Sequence, residues 1–252
     1  MQRHMDIVVR LGSGYGLQIN WGKVELLAIP CAPIIKDGSG ENLKCKTSIG
    51  YLGALVDSSG NIHSELNRRI GMASSDFKSL TKIWNHTNLT RAKKYRIYSA
   101  CILSKLLYGL QTAWLTKLQR RRLDGFHARC IRKLAGIKHS FWSRVSNSEV
   151  LGLVDARPLS SYLLEHQLKY FGTLFRKADT DIGRKLVFKP SSDHLVHADF
   201  RRRRGRPRMA WAVEVRKHAL EIVGEQNLSQ AMQVHTAWRT SVRKYCTNKG
   251  TH

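Results

Sequence analysis

The sequence predicts an α+β chain that is predominantly helical, and three observations carry that expectation. Leu17, Ile19 and Trp21 alternate with polar Gln18 and Asn20, the two-residue period of a strand. From Ile62 onward apolar residues return every three or four positions, the period of helices that bury one face. The charge balance changes near the same point, being almost even before residue 58 and strongly basic after it.

The elements follow in order. Residues 2–11 read as a short helix with Met5, Val8, Val9 and Leu11 on one side, ended by Gly12, Gly14 and Gly16. Leu17–Trp21 and Val24–Ile29 read as two strands of a hairpin with Gly22-Lys23 as its turn. Its outer edges have no visible partner, a liability that complete domains avoid, so this piece reads as a domain cut open. Residues 30–42 are loop. Residues 43–57 return to strand, ending at Asp57-Ser58-Ser59-Gly60.

Everything afterwards reads as helix. Ile62, Leu66, Ile70, Ala73, Phe77, Leu80 and Trp84 form one long stripe. Asn88-Leu89-Thr90 caps a helix over about 90–110, and Gly109 closes it. A helix over about 116–135 carries Leu118, Leu123, Phe126, Cys130 and Leu134 on one face, and Gly136 ends it. Further helices cover about 159–177, 208–223 and 228–246, with an irregular stretch over 180–210. The expected division is 1–57, 58–150 and 151–252.

Composition narrows the function. The chain has 43 Lys and Arg against 18 Asp and Glu, a formal charge of +25. Residues 1–57 hold 6 basic and 5 acidic groups, residues 58–150 hold 18 and 4, and residues 151–252 hold 19 and 9. A compact domain with that excess repels itself unless a polyanion neutralises it, which points to RNA or DNA. The cations are spread over many segments and not along one amphipathic helix, so a membrane surface is the weaker partner. There is no apolar run of about 18 residues to span a bilayer and no secretory signal at Met1–Asp6, so an intracellular and nuclear place is expected. Cys31, Cys45, Cys101, Cys130 and Cys246 are odd in number and lack Cys-x-x-Cys spacing, which suits a reducing compartment.

A resemblance sharpens this. Gly16-Leu17-Gln18-Ile19-Asn20, with Lys23 three residues on, resembles the fourth conserved palm motif of non-long-terminal-repeat (LINE-type) retrotransposon reverse transcriptases. Gly50-Tyr51-Leu52-Gly53 is similar to the next motif, the primer grip. The run from Gly60 through Ile62, Glu65, Leu66, Arg69, Ile70 and Ala73, then Trp84 and Leu107-Tyr108-Gly109 with Trp114, resembles the thumb. Leu123, Phe126-His127, Arg129-Cys130-Ile131-Arg132, Gly136-Ile137 and Arg144-Val145-Ser146-Asn147 continue it. Arg203-Arg204-Gly205-Arg206-Pro207-Arg208 with Trp211 is similar to a basic block found downstream in such elements. The series spans 16–215, and its order is more specific than any one piece.

The resemblance implies a remnant palm over 1–57, a helical thumb over 58–150 and a basic helical tail over 151–252. It also implies what is lacking. The family's polymerase holds magnesium on an aspartate pair in Tyr-x-Asp-Asp and on a further upstream aspartate, and this sequence has no Asp-Asp. Those motifs belong ahead of residue 1, so Met1 is expected to lie inside a longer ancestral reading frame. The expected function is nucleic-acid binding without catalysis by this chain alone, with no cofactor and no small-molecule substrate. Polymerase activity with a separately encoded palm, or a non-functional pseudogene product, are the rival readings.

The candidate residues then divide into four groups. Lys23 is either a remnant of the motif lysine or a solvated turn lysine, and it is idle without carboxylate-held metal. Tyr51, Leu52 and Gly53 are the primer-grip candidates, with strand core as the alternative. Lys117, Arg120, Arg121, Arg122, Arg129, Arg132 and Lys133 share one helix, interrupted only by Asp124, and that pattern suits a phosphate backbone. Arg201, Arg202, Arg203, Arg204, Gly205, Arg206, Pro207 and Arg208 admit three readings: a plain phosphate clamp, a nuclear-import signal, or an AT-hook in the minor groove of A·T-rich DNA. His127-x-x-Cys130 is half of a zinc site without a second half, so no metal is expected.

Overall fold

The structure is a computed structural model that describes residues 1–29, 34–86, 88–196 and 210–249. It is mostly helical, 61% helix and 7% strand, in two compact units, Met1–Arg68 and Arg69–His252.

The first unit begins with α1 (Gln2–Gly14), which buries none of its residues; Val8 and Leu11 stand open to solvent. Gly12 and Gly14 lie within the helix, and Gly16 ends it. Gly16 adopts φ +72°, and its N–H and that of Leu17 bond back to the carbonyls of Ser13 and Gly12. This stop corrects the expected hairpin over 17–29. The Leu17 N–H is spent on the helix end, Trp21–Lys23 coils into a single 3-10 turn, and only Leu26–Leu27 (β1) pairs as strand within 17–29. β1 pairs in parallel with Cys45–Lys46 (β2), not with residues 17–21.

The hairpin of this unit lies further on. β3 (Ser48–Tyr51) and β4 (Ala54–Asp57) pair antiparallel, with Ile49 opposite Val56. Leu52 and Gly53 form the two-residue turn at φ +47° and +78°, the mirror-image turn whose twist matches paired strands. Leucine is a costly residue at positive φ. The turn is tied down from α2 (His63–Ser79): Arg68 donates to the Gly53 carbonyl at 2.8 Å, and Glu65 accepts the Leu55 N–H at 3.0 Å.

In the second unit the long stripe divides. α2 ends at Ser79 and α3 (Thr81–Trp84) follows, so that the Trp84 ring stacks on Phe77 at 5.1 Å and its N–H reaches the Phe77 carbonyl. Thr90 caps α4 (Arg91–Tyr98), as its side chain implies. The expected single helix then loosens into a π-helical segment, Ser99–Leu103, before α5 (Ser104–Leu107) and a 3-10 turn at Leu110–Thr112. Next come α6 (Lys117–Ala135), α7 (Ser140–Ser143), α8 (Asn147–Gly152) and α9 (Leu159–Phe175). After the short α10 (Ile182–Lys185), α11 (Trp211–Val223), α12 (Leu228–Gln233) and α13 (His235–Lys249) complete the described chain.

α9 is the hub: α6, α11, α12 and α13 all pack on it. Leu168, Phe171, Leu174, Phe188, Val215, Met232, Trp238, Val242 and Cys246 form one buried cluster. Two bonds sew α13 to α9. The Trp238 indole donates to the Leu168 carbonyl at 2.9 Å, and the Ser161 hydroxyl donates to the Cys246 carbonyl at 2.6 Å.

Candidate nucleic-acid interface

α6 is built to hold its shape to both ends. Thr116 and Gln119 form a reciprocal capping box, each accepting the other's backbone N–H. At the far end Gly136 turns left-handed at φ +70°, and the Ile137 N–H bonds the Arg132 carbonyl. Leu123, Phe126, His127, Cys130, Ile131 and Leu134 make the buried arc. Leu118, expected on that arc, is 76% exposed and lies on the open side instead.

The seven cations of α6 do not share one face. Lys117, Arg121, Arg122, Arg129 and Lys133 are exposed. At 1.5 Å rise per residue they run for about 24 Å along the helix. Arg120 turns the other way. Its guanidinium lies 4.2 Å from the Trp114 ring centre and its Nε donates to the Leu115 carbonyl, while burial lowers its pKa from the ordinary value. Arg132 is buried. It donates to the Val145 carbonyl at 2.7 Å, to Asn147 Oδ1 at 3.0 Å and to Ser143 Oγ at 3.4 Å, and so fastens the segment after α7 onto α6.

The only carboxylate in α6 is bonded to another helix. Asp124 accepts the backbone N–H and the hydroxyl of Ser160 at 2.7 Å each, in the first turn of α9. No Asp or Glu occupies any position from 125 to 148. The Lys133 end of the stripe opens onto a cleft of about 520 Å³ whose walls include His86, Arg91, Lys94 and Lys138. Lys94 is fixed there by its bond to the Trp84 carbonyl.

The other candidates lie elsewhere. Lys23 is exposed in its 3-10 turn. Tyr51 and Leu52 are 62% and 76% exposed at the tip of the β3–β4 hairpin, with Gly53 beside them. All four belong to the first unit, and the α6 cations to the second. Arg201, Arg202, Arg203, Arg204, Gly205, Arg206, Pro207 and Arg208 lie outside the described residues.

His127 and Cys130 are core residues. The His127 ring bonds the Tyr98 hydroxyl at 3.0 Å and stacks on it. Burial holds that imidazole down to about 4 and pushes the Cys130 thiol up to about 12. Among the described residues no group of three His, Cys, Asp or Glu is placed to hold a metal ion, and no helix is long and apolar enough to cross a membrane.

Sequence reasoning overlooked Phe141 and Trp142, which stand 65% and 75% exposed on α7. The signal was present: two adjacent aromatics between Lys138-His139 and Arg144. The chain matches no family model, no curated protein and no solved structure.

Proposed function

We propose that this chain binds nucleic acid along α6, gripping the phosphate backbone with Lys117, Arg121, Arg122, Arg129 and Lys133. One observation carries the reading: these cations form an exposed stripe whose one helix-borne carboxylate, Asp124, is held by Ser160. Contacts of that kind position a strand without reading its sequence, so RNA and DNA are both accepted. The ordered resemblance to LINE-type reverse transcriptases supports the same reading and makes α6 the counterpart of a thumb helix. Without the family's aspartate pair, the chain binds and does not polymerise.

The test is fluorescence anisotropy on a labelled blunt duplex at stepped salt. Neutralising about five phosphates predicts that affinity falls by over a hundredfold between 50 and 200 mM salt. Binding that is absent at the lowest salt, or indifferent to salt, overturns the proposal.

A further inference from the structure

The exposed pair Phe141–Trp142 has no place in a grip on phosphates alone. Large aromatics with most of their surface in water are unfavourable unless a partner covers them. Their setting says what kind of partner. The two rings sit edge to face at 5.1 Å, and the Arg144 guanidinium lies 5.9 Å from the Phe141 ring centre. The stretch 125–148 holds Arg129, Arg132, Lys133, Lys138 and Arg144, and no acid. A partner for this patch brings flat apolar faces and negative charge together, which is the chemistry of an unpaired nucleotide.

The pair is also held in place. His139 Nδ1 accepts the Phe141 N–H, and the Trp142 N–H bonds the His139 carbonyl. Arg144 closes α7 in the left-handed region at φ +56°. Ser143, the neighbour of Trp142, and Val145 are both bonded to Arg132 on α6. Arg129 and Lys133 lie within three residues of Arg132 in sequence, so the same bracket ties the ring-bearing segment to the C-terminal half of the basic helix.

We infer that Phe141 and Trp142 form a stacking platform for unpaired bases, and that the chain favours a duplex continuing into single strand over a blunt one. This rests on the proposed grip of α6 on phosphates: the helix holds the backbone and the rings take the bases that leave the helix.

Three labelled probes test it at one fixed salt concentration: a blunt duplex, the same duplex with a short single-stranded extension, and that duplex with an extension of abasic sites. The abasic probe carries the same added phosphates without bases. The wild type is expected to bind the base-bearing extension about tenfold more tightly than the abasic one, as one stacked base is worth. Trp142→Ala is expected to abolish that difference and leave blunt-duplex affinity unchanged, while Trp142→Tyr keeps part of it. Equal affinity for the two extensions in the wild type, or a preference that survives Phe141→Ala with Trp142→Ala, overturns the inference and spares the α6 reading. Self-association through the rings without such a preference overturns it too. Failure to bind any of the three probes removes both.

Discussion

Asp124 on α6 accepts two hydrogen bonds from Ser160 on α9, from its N–H and its hydroxyl, both at 2.7 Å. Ser160 lies in the first turn of α9, where a helix has N–H groups without internal partners, so one helix caps another across 36 residues of chain. Asp124→Ala leaves both Ser160 donors unpaired and is expected to lower stability by about 1–3 kcal/mol. Duplex affinity should hold or rise, because the substitution also removes the one negative charge of α6. Chemical denaturation and anisotropy on the same variant check both halves; an unchanged unfolding midpoint would show that the bond supports nothing.

The open stripe and the inward arginines should respond differently. Arg121→Gln, Arg129→Gln and Lys133→Gln together are expected to reduce the slope of log affinity against log salt by about 2–3, at about 0.9 per phosphate. Arg120→Gln removes a guanidinium packed on Trp114 and should cost about 1 kcal/mol of stability while leaving the slope as it was. A slope that shifts with Arg120 and not with the triple variant would place the grip elsewhere.

His127 makes stability depend on pH in a defined window. Its folded pKa is held near 4 by burial, against an ordinary 6.5. Above pH 6.5 the ring is neutral in both states, and its contribution is fully present. As pH falls from 6.5 toward 4 the unfolded chain takes up a proton that the folded chain refuses, so stability declines. The loss attributable to this ring is on the order of 3 kcal/mol. His127→Gln should flatten the decline across that window in urea titrations at stepped pH, and an identical slope in both proteins would contradict it.

Gly172 on α9 faces Trp238 with no room to spare: a Cβ built there collides with the Trp238 indole nitrogen and Cδ1. Trp238 is fully buried and bonded to Leu168, so it cannot yield cheaply. Gly172→Ala in an exposed helix would gain about 1 kcal/mol of propensity. Here overpacking should win, with a net loss of about 1–3 kcal/mol in thermal or urea unfolding. A stabilised variant would mean that α13 can slide away from α9.

What the sequence disclosed was mostly local. Thr90 and Gly136 mark helix ends by their own chemistry, and each stands where its residue type indicates. The hairpin was misplaced because a two-residue alternation at Leu17, Ile19 and Trp21 looks like strand, whatever the N–H of Leu17 is bonded to. The true turn escaped notice because Leu52-Gly53 lacks the Asn-Gly or Asp-Gly chemistry that usually announces it; Arg68 and Glu65 supply from α2 what the turn residues do not. On α6 the sequence supplied the cations but not their directions. Arg120 is turned by Trp114, and Arg132 by Ser143, Val145 and Asn147, none of them a neighbour on the same helix.

The bonds between α9 and α13 also set an order of events during synthesis. Leu168 and Trp238 are 70 residues apart, and Ser161 and Cys246 are 85 apart. At a ribosome's about 5–20 residues per second, α9 waits for several seconds before its covering helix exists. Through that interval Phe171 and Leu174 have no Trp238 or Val242 to pack against, and the nascent chain presents an apolar surface beside a strongly cationic one. Such a chain invites chaperones and, if α6 grips phosphates as proposed, premature attachment to the ribosomal RNA of the very machine that is making it.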